Sequence, residues 1–131
     1  MGSKKRPIAM QSHAHSGLWL SSLGCLAYSD LALSGSSDGW LKLWKCGGSG
    51  GKSQGPYLQC MSSIAITGHL NGISVARSGA WAVVAVGQEH RLGRWTRIGA
   101  ARNGVHLVRF NQNLMPNTES VNETQVFYII I

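Results

Sequence analysis

Between Arg77 and Arg109 the chain carries six arginines and a single acid, Glu89, a local excess of five positive charges. Four of these, Arg91, Arg94, Arg97 and Arg102, fall within 12 residues of one another, directly after His90. A planar, permanently charged guanidinium matches phosphate oxygens two at a time, so the pattern suits binding to an anionic polymer better than bond breaking. His90 can stack on a base or bond within a turn. These five residues are the candidate RNA or partner contacts. In an extended strand Arg91 and Arg97 share a face with Trp95, and Arg94 points the other way. One flat surface therefore cannot engage all of them. The competing reading is a set of solvated charges, some paired with Glu89.

Other chemistry is poorly supplied. Only five acids are present, and none forms an evident pair for general acid–base work, so no catalytic residue and no enzyme is expected. His13, His15, Cys25, Cys46 and Cys60 lack metal-ligand spacing, so no metal or other cofactor is expected. The run from Gly47 to Ser53 ends in Gly-Lys-Ser like a phosphate loop. Cys46 stands where that loop needs its first glycine, and Pro56 follows three residues after Ser53, where a helix should begin. Three cysteines with no C-x-x-C read as buried, reduced thiols of an intracellular protein. No secretory leader is legible at the start, and the apolar end 126–131 is far too short to span a bilayer, so no membrane partner is expected. Asn122-Glu123-Thr124 matches a glycosylation acceptor that would matter only in a secreted protein. The net charge of +7 again suggests an anionic partner. Lys4-Lys5-Arg6 is a short basic run that could serve nuclear import or phosphate contact; a solvated terminus is the plainer alternative.

The elements that must position the arginines read as strands. Residues 19–27, 31–36, 40–46 and 57–66 form one series, and 70–76, 81–86, 91–98 and 105–110 form another. Asp38-Gly39 is a strong hairpin turn, because glycine accepts the positive φ that tight hairpins require. Residues 81–86 are apolar without alternation, which predicts a strand buried on both faces. Residues 91–98 are expected to pair with it, and 105–110 to close the unit as an outer strand. Glycine-rich and β-branched runs argue against helices.

The two series repeat. Ser34-Gly35-Ser36-Ser37-Asp38-Gly39 leads to Trp44, and Gly87 to Trp95 gives a related pattern, the two tryptophans lying 51 residues apart. Such a period belongs to propeller blades. The fold expected is all-β: a partial β-propeller of about two to two and a half blades of antiparallel four-stranded sheet. Residues 1–16 are a lead-in or the end of a preceding blade, 17–66 one blade, 67–110 a second blade with its closing strand, and 111–131 an irregular tail. A chain of this length is expected to be part of a longer propeller, with open blade faces and edges.

The segment from Ser34 to Trp44 resembles a WD40 repeat. That resemblance implies a stabilising network among a loop histidine, a strand hydroxyl, the turn acid and the strand tryptophan. Blade one offers Ser34, Asp38 and Trp44, with His15 as the histidine; blade two offers His69 and Trp95. Blade two has Ala85 at the hydroxyl position and His90 near the acid position, so its network is expected to be incomplete. Gly87-Gln88-Glu89-His90-Arg91-Leu92-Gly93-Arg94-Trp95, with Arg97-Ile98 and Ala101-Arg102-Asn103, is similar to the last blade of the WD-repeat proteins that interact with U3 small nucleolar RNA. The lead-in Lys4-Lys5-Arg6-Pro7-Ile8 and Ala14-His15 is similar to their preceding segment. This resemblance spans roughly residues 4–110 and excludes 111–131. It implies a non-catalytic subunit of the U3 ribonucleoprotein in the nucleus and nucleolus. The implied partners are U3 small nucleolar RNA, box C/D core proteins and proteins of the small-subunit processome, and the implied role is precursor ribosomal RNA processing and small-subunit assembly. Two alternatives stay open: a WD-repeat scaffold that binds proteins only, and a truncated propeller without function.

Overall fold

The computed structural model describes residues 6–48, 55–110 and 125–129, the last as backbone. Lys4, Lys5, most of the phosphate-loop-like run, residues 111–124 of the expected tail and its glycosylation motif lie outside the described residues. All regular elements described are strands: β1 (Ser22–Cys25), β2 (Leu31–Gly35), β3 (Trp40–Gly47), β4 (Tyr57–Ala65), β5 (His69–Val75), β6 (Trp81–Gly87), β7 (Glu89–His90), β8 (Gly93–Arg97), β9 (Gly104–Arg109) and β10 (Gln125–Ile129).

They form two four-stranded antiparallel sheets, β1-β2-β3-β4 and β10-β9-β6-β5, plus the two-stranded ribbon β7-β8. The first sheet is a simple meander. Asp38 and Gly39 make its central turn, with Gly39 at φ +87° and the Asp38 carboxylate accepting from the Trp40 amide at 3.1 Å. β2 then pairs with β3 from Gly35↔Leu41 to Leu31↔Lys45. That register puts Leu33 opposite Leu43, on the face that meets the second sheet. The shared core joins Leu33, Leu41, Leu43 and Ile66 to Leu70, Ala82, Val84, Val86, Val108 and Phe110. Burying each large side chain contributes about 1.5–3 kcal/mol, so this seam is what holds one blade on the other. Two serines add polar fixings: Ser21 and Ser22 both donate to the Leu70 carbonyl, at 2.8 and 2.6 Å.

The second sheet departs from expectation in several places. Residues 93–97 do not pair with β6. The partner of β6 is β9, in register from Trp81↔Arg109 to Val86↔Gly104. β9 is therefore an inner strand, and β10, from the segment expected to be irregular, lies outside it in register Gln125↔Arg109 to Ile129↔Val105. The physical reason is in the residues: Val105, Leu107 and Val108 give β9 a β-branched, apolar surface, whereas 93–97 is Gly-Arg-Trp-Thr-Arg and offers little to a core. β6 is buried on one face only. Ala82, Val84 and Val86 are buried, while Val83 is 40% exposed and Ala85 is exposed, because no second layer covers that side among the described residues. The first strand is also shorter than expected, four residues rather than nine. The three cysteines are free but exposed, not buried: they fall on strand positions with no covering layer among the described residues.

Candidate nucleic-acid interface

The lead-in is pinned to blade one by a polar relay. Trp44 Nε1 donates to Ser34 Oγ at 2.7 Å. Ser34 Oγ lies 2.7 Å from His15 Nε2, and His15 Nδ1 lies 2.9 Å from the Asp38 carboxylate. The carboxylate can only accept, so Nδ1 donates to it; in the tautomer with the proton on Nδ1, Nε2 accepts from the serine hydroxyl and the relay runs from indole to carboxylate. His15, Ser34 and Trp44 are all buried. Lys42 Nζ donates to the Ala14 carbonyl at 2.6 Å and Ser36 Oγ to the Trp19 carbonyl at 2.6 Å, which fixes the path of the lead-in to Trp19.

Blade two has no such relay. His69 is buried, its Nε2 lies 3.5 Å from Thr96 Oγ1, and its Nδ1 has no hydrogen-bond partner among the described residues. Where blade one places Asp38, blade two brings the His90 ring to 6.0 Å from the His69 ring, edge to face. His90 Nδ1 accepts from the Leu92 amide at 3.1 Å, as the Asp38 carboxylate does from the Trp40 amide, but unlike that carboxylate it has no second acceptor atom to reach the loop histidine. Trp95 does not enter a core: it is 63% exposed, because β8 stands off the sheet in the ribbon.

That ribbon carries the arginines, and three side chains hold it. Asn71 donates to the Glu89 carbonyl at 2.9 Å and accepts from the Arg91 amide at 3.0 Å. Asn103 accepts from the Gln88 amide at 2.8 Å. Gln88 donates to the Ala101 carbonyl at 2.8 Å and accepts from Arg97 Nη2 at 2.9 Å. Arg97 is thus partly spent on positioning the ribbon. Arg94 Nε meets the Glu89 carboxylate at 3.1 Å, but its side chain is 87% exposed, and a pair so wet holds the arginine only weakly. Arg91 and Arg102 are exposed and make no side-chain hydrogen bond or ion pair with another described residue. The ribbon and the loop after it therefore present Arg91, Arg94 and Arg102 to solvent, with Arg97 at its base.

A cleft of about 230 Å³ opens between the ribbon and the lead-in, lined by Leu18, Trp19, His69, His90, Trp95 and Thr96 among others. The Trp19 and Trp95 rings meet edge to face at 5.9 Å, and His90 lies 5.6 Å from Trp95. Sequence reasoning missed Asn71, Gln88 and Asn103 as braces of the ribbon, since each acts across nine residues or more. Trp19 is open to base stacking by its type but reads at strand spacing as a core residue, and the structure leaves it exposed against Trp95.

No family model matches the chain. The human U3 small nucleolar RNA-interacting protein 2 is 40% identical over 123 residues, covering 87% of this chain and 25% of its own length. Ribosomal RNA-processing protein 9 of Saccharomyces cerevisiae is 31% identical over 108 residues, 72% of this chain and 17% of its own length. Among solved structures, that of U3-55K superposes with a TM-score of 0.73 at 39% identity, covering 82% of this chain and 34% of its own. The crystal structure of the RRP9 WD40 repeats gives 0.71 at 40% identity with the same coverage. The chain thus spans a quarter or less of the curated relatives it matches. With its blade meander, its histidine–serine–tryptophan relay and these likenesses, the chain belongs to the WD40-repeat family and is similar there to the U3 small nucleolar RNA-interacting proteins.

Proposed function

We propose that the chain is a non-catalytic, RNA-binding part of a U3 ribonucleoprotein subunit that acts in precursor ribosomal RNA processing and small-subunit assembly, in the nucleolus. The observation that carries this reading is the braced ribbon. Asn71, Gln88 and Asn103 spend their hydrogen bonds on backbone and on Arg97 to hold a two-stranded projection whose outward residues are Arg91 and Arg94. Arg102 stands on the loop behind it. A rigid, cationic projection lowers the ordering cost of phosphate contact. The names of the relatives support U3 small nucleolar RNA as the ligand and ribosome production as the setting. Box C/D core proteins and processome proteins are the further partners proposed.

A second reading, a scaffold for proteins alone, is favoured by the uncovered apolar side of β6. RNA binding against salt separates the two. With U3 RNA, log Kd should rise linearly with log salt, and Arg91→Ala with Arg94→Ala should weaken binding and reduce the slope by about 0.7 for each lost contact to a single strand. Binding that ignores both substitutions, or does not distinguish U3 RNA from an unrelated RNA of equal length, refutes the reading.

A further inference from the structure

The cleft beside the ribbon has a composition that phosphate contact does not explain. Its walls are two tryptophans from distant parts of the chain, the imidazole of His90 and the buried His69. Trp19 is 73% exposed and Trp95 63% exposed, although they touch each other. Large indole surfaces held open to water are costly, and aromatic walls of this kind are what unstacked bases lie against. The Trp19 backbone is anchored by Ser36, and Trp95 sits on the braced strand β8, so both rings ride on fixed backbone rather than on loose loops. Gly93 leaves room for this: a Cβ there would come within 2.9 Å of the Trp95 ring. The His69 side chain also lines the cleft; its Nε2 lies 3.5 Å from Thr96 Oγ1 and its Nδ1 is buried with no hydrogen-bond partner among the described residues.

We infer that this cleft seats one unstacked nucleobase of a single-stranded RNA segment, while Arg91, on the same ribbon, takes a flanking phosphate. The inference rests on the RNA-binding reading above and deepens it by naming where a base enters. The cleft volume is below the about 300–1,000 Å³ of sites for drug-sized ligands, which suits a single flat ring system. An aromatic-walled cleft can also hold a cationic side chain of a protein partner. The charge here opposes that occupant. Arg91, Arg94 and Arg97 surround the ribbon, and its one acid, Glu89, is already paired with Arg94. A base brings its own phosphates, which these arginines attract.

The test uses the full chain and three probes: U3 RNA, a single-stranded oligoadenylate, and an arginine-rich peptide. Trp95→Ala and Trp19→Ala should each weaken both RNAs by about 10- to 100-fold with an unchanged salt slope, because stacking releases no counterions. Trp95→Phe should recover most of the loss, and thermal melts of the variants should match the parent, since both rings are largely exposed. If both RNAs bind the tryptophan variants as tightly as the parent, the base seat is wrong and the RNA-binding reading survives. If neither RNA binds the parent, both fail together. Tryptophan-dependent binding of the peptide instead of RNA overturns the proposed occupant.

Discussion

At the scale of single residues, the two blades differ by a few atoms with a calculable consequence. In blade one, Ser34 Oγ is shared by an indole donor and an imidazole acceptor, all buried. Ser34→Ala leaves Trp44 Nε1 and His15 Nε2 unsatisfied at once. That should cost about 1–3 kcal/mol, read as a lower urea midpoint with unchanged m-value. Thr96→Val removes a 3.5 Å contact from an exposed residue and should change stability by no more than about 0.5 kcal/mol. Equal losses would mean that blade two has a working network after all. His106, in the centre of β9 opposite Val84, has its pKa held below the usual 6.5 by burial. The unfolded chain therefore binds its proton first. This contribution to stability is whole above pH about 6.5 and is lost as pH falls from there toward the lower folded value. His106→Phe should flatten that part of the stability–pH curve, and an unchanged slope would assign the dependence elsewhere.

At the scale of elements, glycines set how closely the strands of the two blades approach. A Cβ on Gly35 would lie 2.6 Å from Ser22 Oγ and 2.7 Å from Leu70 Cβ, at the point where β2 meets β5. Gly35→Ala must push the sheets apart or twist Leu70 out of place, at about 1–3 kcal/mol. Gly39→Ala meets no atom within 4 Å and bears only the left-handed backbone, about 1–2 kcal/mol. The distinguishing measurement is near-ultraviolet circular dichroism. The Gly35 variant should alter tryptophan packing across the seam, and the Gly39 variant should not. The first meander was legible in the sequence because its turn is Asp38-Gly39 and its partners are neighbours along the chain. The second blade was legible only to β6. Gly87 to Trp95 imitates a blade hairpin, so local pattern assigns β8 to the sheet. What displaces it is competition with β9, whose apolar residues come later, and sequence periodicity does not rank two strands for one partner. The arginine cluster was legible by type and spacing. Its bracing was not, since Asn71 and Asn103 gain meaning only when the fold brings them to the ribbon. Trp19 likewise reads as a strand residue until the relay turns the lead-in toward Trp95.

At the scale of the whole molecule, two blades are a portion of a ring. The chain aligns with about a third of each solved WD40 chain, and in a closed propeller every blade face lies against a neighbour. Here the side of the second sheet away from the core shows Val83, 40% exposed, with Val105 and Leu107 half-buried on the strand beside it. Leu23, 66% exposed, stands on the far side of the first sheet, paired with Ser34. Such faces drive association when their natural cover is missing. The isolated chain should therefore sediment as concentration-dependent oligomers. Val83→Lys places a charge in the middle of that face and should shift the population toward monomer. Its cost to folding should be small, because Val83 contributes nothing to the shared core between the sheets. If the oligomers persist unchanged in that variant, the contact runs instead through the open edge strand β4, and charges on Gln59 or Met61 should then disperse them. A monomer at all concentrations would show that two blades already bury enough surface to stand alone.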